Sequence, residues 1–314
     1  MYDTELMLRI AKMYYENDMN QDEIAKKVYV SRSMVSRMIK QAKELGIVEI
    51  TIRPLYEEHC SLENKLKGYF PNCEFNIAYS DNSDTEEEFD VVCNMSASCL
   101  KSHLNEKTIL AVSRGKTVAN TIEKLKPEKN YPEMRIVQLC GSVASALNSS
   151  SDEMSNIQQL GKLFGCKINR FFSPYIFDDK NTRNMICKSR EISYVLDMAK
   201  DVNTFISTVD TILYWKDYLE EKEISYLMKQ KAVGCIWGYF YDVDGNIIDT
   251  PLYERMVIPD ISIFNTVNTR ICVANDRFKT NAILGALRGG LCNYLITNSK
   301  IASRLIEKCE KNSM

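Results

Sequence analysis

The sequence predicts an α/β protein of two domains: an N-terminal helix-turn-helix domain of the winged type and a larger Rossmann-like α/β domain. Residues 1–54 contain three short amphipathic helical patterns followed by an alternating, strand-like tail. Residues 55–314 alternate short apolar runs with longer helical patterns, which is typical of an open sheet covered by helices. A chain of 314 residues that is 45% hydrophobic is long enough to bury a core in each domain.

The first domain is predicted to contain three helices, the last of which is basic. The first covers residues 5–16, the second begins at Gln21, and the third runs from Arg32 to Glu44. Ser31 is well placed as the N-cap of the third helix, because its hydroxyl can accept from the free amides of the first turn. Gly46 is placed to end this helix, and the following "IVEITI" alternates like the strand of a wing.

The third helix predicts contact with double-stranded DNA. The second helix of a helix-turn-helix motif enters the major groove, where arginine can bind guanine and lysines further along contact phosphates. The net charge is −2, so such contact must come from a local basic patch. The alternative is an ordinary three-helix bundle with a solvated basic face. The predicted DNA contacts are Gln21, Ser31, Arg32, Ser33, Ser36, Arg37, Lys40 and Lys43.

The composition indicates an intracellular protein, which we expect in the cytoplasm. The N-terminus is charged and lacks the apolar segment of a secretory signal, and no 18-residue apolar run could cross a membrane. The 11 cysteines form no CxxC pair, and the chain has only 2 histidines. We therefore expect no disulfide framework, no metal site and no bound cofactor, and we interpret the cysteines as reduced and mostly buried thiols.

Five apolar runs of the second domain are predicted strands of one sheet: "TILAVS", "RIVQLC", "NTFISTV", "TRICVAN" and "NYLIT". Ligands of open α/β sheets bind beyond the carboxyl ends of the strands, where loops meet helix N-termini. Three of these loops carry small, hydroxyl and basic side chains that suit a phosphorylated sugar. The predicted effector contacts there are Ser113, Arg114, Gly115, Lys116, Thr117, Gly141, Ser142, Asn275, Asp276 and Lys279, with Asp276 the one carboxylate beside such a loop.

The stretch "DVDG", residues 242–245, is predicted to be a hairpin turn compatible with type I′. It resembles a short Ca²⁺ loop but lacks the later ligands that such a loop needs. Asp242 is added to the effector candidates as a side chain that could reach the pocket. Trp215 and Trp237 are interpreted as anchors of the core or of an interface.

Residues 8–52 and four later stretches resemble the SorC/DeoR family of sugar-responsive transcriptional regulators, which includes regulators of deoxyribonucleoside and of central glycolytic genes. "ILAVSRGKTVANTI" is similar to the family's Ser-Trp-Gly-x-Thr stretch, and "RIVQLCGSVA" resembles its Leu-x-Gly-Gly loop. "QKAVGCIWGYFYDVDGNII" and "ICVANDRFKTNAILGALRGG" resemble its last two landmarks in the same order.

The resemblance implies a regulator with a DNA-binding domain at 1–54 and an effector-binding and oligomerisation domain at 55–314. The larger domain would have a fold like that of sugar-phosphate isomerases and would bind a phosphorylated sugar that modulates operator binding. A single short recognition helix covers too few base pairs for useful specificity, so we expect a homodimer or homotetramer.

The chain departs from the family pattern at several pocket positions. Arg114 stands where the family has tryptophan, and could add a phosphate contact or fill the pocket. Ser142 replaces the second glycine of the loop, and Asn275-Asp276 replace a Gly-Gly pair. Cys140 replaces the lysine of the deoxyribonucleoside-type member, which excludes an imine with a sugar aldehyde at that position. A domain that has lost sugar binding and serves only oligomerisation is therefore an open alternative.

An enzyme of the sugar-phosphate isomerase or deaminase type is the alternative class of function. Proton transfer on a sugar phosphate needs a positioned base, and neither His59 nor His103 lies in a strand-end loop. An enzyme also has no need for the basic helix. The sequence therefore favours a transcriptional regulator of carbohydrate metabolism, and predicts no catalytic residue.

Overall fold

The computed structural model describes residues 4–15, 17, 19–44, 47–48, 56–79, 85–142 and 153–311. The chain divides into two compact units, Met1–Tyr56 and Glu57–Met314. Gly46, the predicted strand from residue 49 onward and the boundary between residues 54 and 55 lie outside the described residues. In the part of the chain that is described, no helix has the length and apolar character needed to cross a membrane.

The smaller unit contains the three predicted helices, α1 (Thr4–Tyr15), α2 (Gln21–Val28) and α3 (Arg32–Glu44). Their buried faces form one apolar cluster made by Met7, Ile10, Ala11, Ile24, Ala25, Val35, Met38, Ile39 and Ala42. Asn20 caps α2, with its side chain accepting from the Glu23 amide and the Glu23 carboxylate accepting from the Asn20 amide. The Ser31 hydroxyl accepts from the Met34 amide at 3.2 Å, which confirms the predicted cap of α3.

The larger unit alternates strands and helices along the chain. Its strands are β1 (Glu74–Ala78), β2 (Ile109–Val112), β3 (Arg135–Val137), β4 (Lys167–Asn169), β5 (Thr204–Thr208), β6 (Gly234–Ile236), β7 (Tyr239–Tyr241), β8 (Thr269–Val273) and β9 (Tyr294–Asn298). Its helices are α4 (Tyr56–Tyr69), α5 (Thr85–Ser102), α6 (Lys116–Glu123), α7 (Glu153–Phe164), α8 (Lys180–Cys187), α9 (Arg190–Met198), α10 (Glu221–Lys229), α11 (Ile263–Thr266), α12 (Thr280–Arg288) and α13 (Ser299–Lys311).

Seven strands form one parallel sheet in the order β1-β9-β8-β5-β2-β3-β4, and β6 and β7 form a separate antiparallel hairpin. The prediction of an α/β fold with an open sheet is confirmed. After β2 the chain continues to β3 on one side, whereas after β5 it continues to β8 on the other side. The loops that follow β2 and β5 therefore diverge, and this topological switch point is where open α/β sheets leave a crevice for ligands.

Helices cover both faces of the sheet. Alternate strand residues enter two apolar clusters: Leu110 and Val112 lie in one, and Ala111 lies in the other. Buried residues of α5, α6 and α7 belong to the first cluster, whereas those of α12 and α13 belong to the second. This alternation is expected of a sheet that is buried on both faces. Both tryptophans lie in the second cluster, in agreement with their interpretation as core anchors.

Candidate functional site

The exposed face of α3 carries the residues predicted to contact DNA. Ser31, Arg32, Ser33, Ser36, Arg37, Lys40 and Lys43 are all exposed, whereas Gln21 at the start of α2 is half-buried. The Arg37 Nε donates to the Ser33 carbonyl at 3.3 Å, and Lys43 lies 5.8 Å from the centre of the Tyr15 ring. Arg32 lies 3.7 Å from Asp22, in an exposed ion pair of small energetic value. The helix thus presents hydroxyl and basic groups on the side opposite its buried residues.

The loops after β2, β5 and β8 come together at the carboxyl edge of the sheet. Gly115, the N-cap of α6, has φ +123°, and a Cβ at this position would lie 3.1 Å from the Thr208 methyl group. The Lys279 ammonium donates to the Thr208 hydroxyl at 3.3 Å. An ammonium, a hydroxyl and the free amides of a helix N-terminus are thus adjacent, which is a suitable arrangement for a phosphate.

The other residues of the β2 loop have distinct contacts. The Ser113 hydroxyl donates to the Arg114 carbonyl and accepts from the Thr208 amide at 3.3 Å, so Ser113 joins the ends of β2 and β5. The Lys116 ammonium lies 5.5 Å from the Phe89 ring of α5, and the Thr117 carbonyl accepts from the hydroxyl of Thr121.

Arg114 fills the centre of the switch-point crevice. Its guanidinium lies 5.1 Å from the Tyr175 ring and 5.0 Å from both the Tyr214 and Trp215 rings, and its Nη2 lies 3.3 Å from the Asp210 carboxylate. Burial acts to lower the Arg114 pKa, but Asp210 together with Tyr175, Tyr214 and Cys235 outweighs burial and holds the pKa above its ordinary value. The guanidinium is therefore a fixed positive charge.

Two neighbouring cavities have Tyr175 and Trp215 in common, and Arg114 lines the smaller of them. The first, of about 30 Å³, is lined by Ser113, Arg114, Cys140, Glu153, Tyr175, Ser207, Thr208, Asp210, Trp215, Cys235, Trp237 and Gly238. The second, of about 500 Å³, is lined by Ser142, Ser173, Pro174, Tyr175, Ile176, Trp215, Asp217 and Tyr218. Tyr175 and Trp215 contribute to both, so the larger cavity offers room for a ligand whose end group reaches Arg114.

The β3 loop forms part of these walls. The Gly141 amide donates to the Val257 carbonyl at 2.9 Å, and Ser142 exchanges backbone hydrogen bonds with Ser173 and Tyr175. Burial raises the pKa of the Cys140 thiol, which therefore stays neutral. A neutral buried thiol is a poor nucleophile, and it has no amine with which to form an imine with a sugar aldehyde. The described cysteines are free, and most are buried, as expected.

Three other candidates use their side chains in hydrogen bonds within the protein. The Asp276 carboxylate accepts from the Phe278 amide at 2.9 Å, and the Asn275 side chain accepts from the Asn298 amide group at 2.9 Å. Asp242 accepts from the Asp244 and Asn246 amides within its own turn, and it does not line either cavity. The structure therefore brings the β2, β3 and β8 loops together, but Asn275, Asp276 and Asp242 line neither cavity.

Several residues of the crevice were not predicted as contacts. Asp210 follows β5 by two residues. The rule that ligands bind beyond the carboxyl ends of the strands, which selected the other loops, could therefore have found it. Glu153 and Tyr175 gave no such signal, because Glu153 begins a helix and Tyr175 lies outside any strand. The expectation that Asp276 is the one carboxylate beside these loops is wrong, since Asp210 and Glu153 both line the smaller cavity.

A doubly wound parallel sheet with a crevice at its switch point, preceded by a unit with an exposed basic helix, is the arrangement that the sequence predicts for a ligand-binding transcriptional regulator. The chain belongs to the family described as "Putative sugar-binding domain", whose pattern matches residues 55–307. It is similar to the deoxyribonucleoside regulator of Bacillus subtilis (strain 168), with 28% identity over 308 residues that cover 96% of this chain and 97% of that protein.

Two further comparisons support the same assignment. The sorbitol operon regulator of Klebsiella pneumoniae is 27% identical over 319 residues, which cover 97% of this chain and 98% of that protein. The crystal structure of full-length SorC from that organism superposes with a TM-score of 0.81 at 26% identity, covering 98% of this chain and 99% of that chain. The resemblance to the SorC/DeoR family is therefore confirmed, and the chain is a transcriptional regulator with a sugar-binding domain rather than an enzyme.

Proposed function

We propose that the chain binds operator DNA through α3 and that a phosphorylated sugar, bound at the carboxyl edge of the sheet, modulates this binding. The proposal depends most on the Gly115–Thr208–Lys279 cluster, in which helix amides, a hydroxyl and an ammonium meet at the switch point. The names of the relatives, a deoxyribonucleoside and a sorbitol operon regulator, support an effector of the sugar class.

The DNA part of the proposal rests on the division of α3 into two faces. Its apolar residues are buried against α1 and α2, whereas its serines, arginines and lysines are exposed. The α2–turn–α3 pair then acts as a helix-turn-helix, with Ser31, Arg32, Ser33, Ser36 and Arg37 at base edges and Lys40, Lys43 and Gln21 near the backbone. A homodimer or homotetramer, with a cytoplasmic location, completes the proposal, because paired helices are needed to read two half-sites.

The variant Arg37→Ala tests whether α3 contacts the bases of operator DNA. Operator duplexes would be selected from a random library with the full-length protein, and affinities measured by fluorescence anisotropy at fixed salt. We expect Arg37→Ala to weaken specific binding by about 1–3 kcal/mol if the side chain reads a base. Lys12→Ala, which removes an exposed charge from α1, is the control and should change affinity little. An unchanged affinity and specificity in Arg37→Ala would remove this residue from the base contacts.

Lys279→Ala tests the anion site. A panel of sugar phosphates and the corresponding free sugars would be screened by thermal shift, since a ligand stabilises the state that binds it. We expect a phosphate-dependent shift in the wild-type protein that is lost in Lys279→Ala and kept in Lys229→Ala, which removes a distant exposed charge. A full response in Lys279→Ala would place the anion elsewhere. No shift with any compound would favour a domain that serves only oligomerisation.

A further inference from the structure

Three residues that line the smaller cavity each carry a buried N–H group that lacks a good hydrogen-bond acceptor. These groups are Arg114 Nε, Trp215 Nε1 and Trp237 Nε1, all of them buried and without a hydrogen-bonded oxygen or nitrogen among the described residues. The Trp215 indole interacts with the Cys235 thiol, but sulfur is a weak acceptor. Buried donors are normally paired, because an unpaired one loses its hydrogen bonds to water without compensation. Together these donors form a site for an acceptor group.

The guanidinium of Arg114 is held in a fixed position. Three aromatic rings lie around it, and the Asp210 carboxylate lies 3.3 Å from its Nη2. Its Nε–H is left unpaired. An arginine that is already ordered loses little entropy when it binds, and its planar donors match a carboxylate better than a single hydroxyl.

The donors lie next to the proposed phosphate site. Thr208 lines the same cavity, and its hydroxyl accepts from Lys279. A volume of about 30 Å³ admits a group no larger than one or two oxygens, which is the size of a carboxylate end group. A ligand with an acidic group at one end and a phosphate at the other would satisfy both positions.

We infer that the effector is a phosphorylated sugar acid, whose carboxylate accepts from Arg114, Trp215 and Trp237 while its phosphate lies near Gly115, Thr208 and Lys279. This inference rests on the proposed function, because it uses the same crevice and the same phosphate site. Arg114 is the specificity-determining residue, and it stands where the family's motif has tryptophan.

Two carboxylates of the cavity bear on this assignment. Asp210 is paired with Arg114, and the Glu153 carboxylate accepts from the Leu139 amide at 3.1 Å. Either could also accept from the hydroxyl of a neutral sugar, so a neutral ligand is the competing outcome. The three donors favour the acid, because a hydroxyl can accept from fewer N–H groups than a carboxylate can.

The test compares two linear phosphates with the same carbon skeleton, 6-phosphogluconate and glucitol 6-phosphate, by calorimetric titration of the full-length protein. We expect the acid to bind at least tenfold more tightly. In Arg114→Met this preference should disappear while residual phosphate-dependent binding remains. Trp237→Phe keeps an aromatic side chain and removes one N–H, so it should reduce the preference several-fold. This variant is the test of the inference if Arg114→Met does not fold. Lys279→Ala should weaken both ligands by a similar factor.

The outcomes separate this inference from the proposed function. Equal or tighter binding of glucitol 6-phosphate would overturn the sugar-acid assignment and leave a sugar-phosphate sensor in place. A preference for the acid that survives in both Arg114→Met and Trp237→Phe would also overturn it. Failure of the wild-type protein to bind either compound, or any other phosphate of the screening panel, would contradict the proposed function itself.

Discussion

At the scale of single residues, Arg114 has the largest consequence for the crevice. The sequence predicted that the β2 loop faces the ligand, because Gly115 and Thr117 follow a buried strand. It could not predict the partners of Arg114, since Tyr175, Asp210 and Trp215 lie far away in the chain and are brought together by the sheet order. The arginine is both a charged group and a space-filling one, and the sequence left both roles open.

Gly141 is the residue whose replacement should disturb the crevice most directly. A Cβ at this position would lie 2.2 Å from the Pro174 carbonyl oxygen and 2.7 Å from the Tyr175 Cα, so backbone would have to move. We expect Gly141→Ala to lower the free energy of unfolding of the larger unit by about 1–3 kcal/mol, as overpacking does. Both tryptophans are buried in that unit, so their fluorescence during urea unfolding measures it.

The matched control for Gly141→Ala is Gly68→Ala in α4. A Cβ at Gly68 meets nothing within 4 Å, and alanine is favoured over glycine in a helix by roughly 0.5–1 kcal/mol. This variant should be neutral or slightly more stable in the same experiment. If Gly141→Ala were as stable as Gly68→Ala, the close packing of the β3 loop against Pro174 would be contradicted.

At the scale of elements, continuous apolar runs predicted the central strands of the sheet, whereas the less apolar edge strands were not predicted. The five apolar runs correspond to β2, β3, β5, β8 and β9, which include the central strands of the sheet. The two strands of the seven-stranded sheet that were not predicted, β1 and β4, are its edge strands. An edge strand is partly exposed and carries a less continuous apolar run: β1 interrupts its apolar residues with a polar one, and β4 has a single apolar residue, so neither gives a clear signal.

The turn at residues 242–245 was predicted correctly as a turn, but its type differs. A type I′ turn needs positive φ at both central residues. Among the described residues, positive φ is found here at Gly245 and not at Val243 or Asp244. The Gly245 amide donates to the Asp242 carbonyl, and Ile248 pairs with Phe240 beyond the turn. The glycine is needed at the end of the turn, where its backbone lies against Gly289.

Asp242 should stabilise this turn in a pH-dependent way. Burial alone would raise its pKa, but hydrogen bonds from Asn246, Asp244 and Gly245 outweigh burial and hold the pKa below its ordinary value. The stabilisation is therefore complete above the unfolded-state pKa of about 3.9 and is lost as the pH falls through the lower folded-state pKa.

The corresponding measurement compares urea unfolding of the wild-type protein and Asp242→Ala at several pH values. We expect Asp242→Ala to cost about 0.5–1.5 kcal/mol at pH 7, the net contribution of the exposed hydrogen bonds that its carboxylate accepts in the turn. The difference should shrink below about pH 4 as the wild-type carboxylate is protonated. Asp249→Ala, at an exposed position close by, should show a smaller difference. A cost that is constant down to pH 3 would mean that the charge of Asp242 contributes nothing.

At the scale of the whole molecule, the question is how a ligand in one unit changes DNA binding by the other. A sugar phosphate can act only through different affinities for the two states of the protein, and the coupling is reciprocal. If the effector changes the affinity of the protein for operator DNA by some factor, operator DNA must change the affinity of the protein for the effector by the same factor. Typical couplings are about 1–3 kcal/mol, or roughly 5- to 150-fold.

This reciprocity gives a prediction that does not depend on whether the protein represses or activates. Operator affinity would be measured by anisotropy with and without a saturating effector, and effector affinity by calorimetry with and without the operator duplex. We expect the two ratios to agree and to exceed fivefold. Lys279→Ala should weaken effector binding in both calorimetric experiments and leave operator affinity in the absence of effector unchanged. An effector that binds with the same affinity whether or not the operator is present would mean that the sheet crevice is a binding site without a role in DNA recognition.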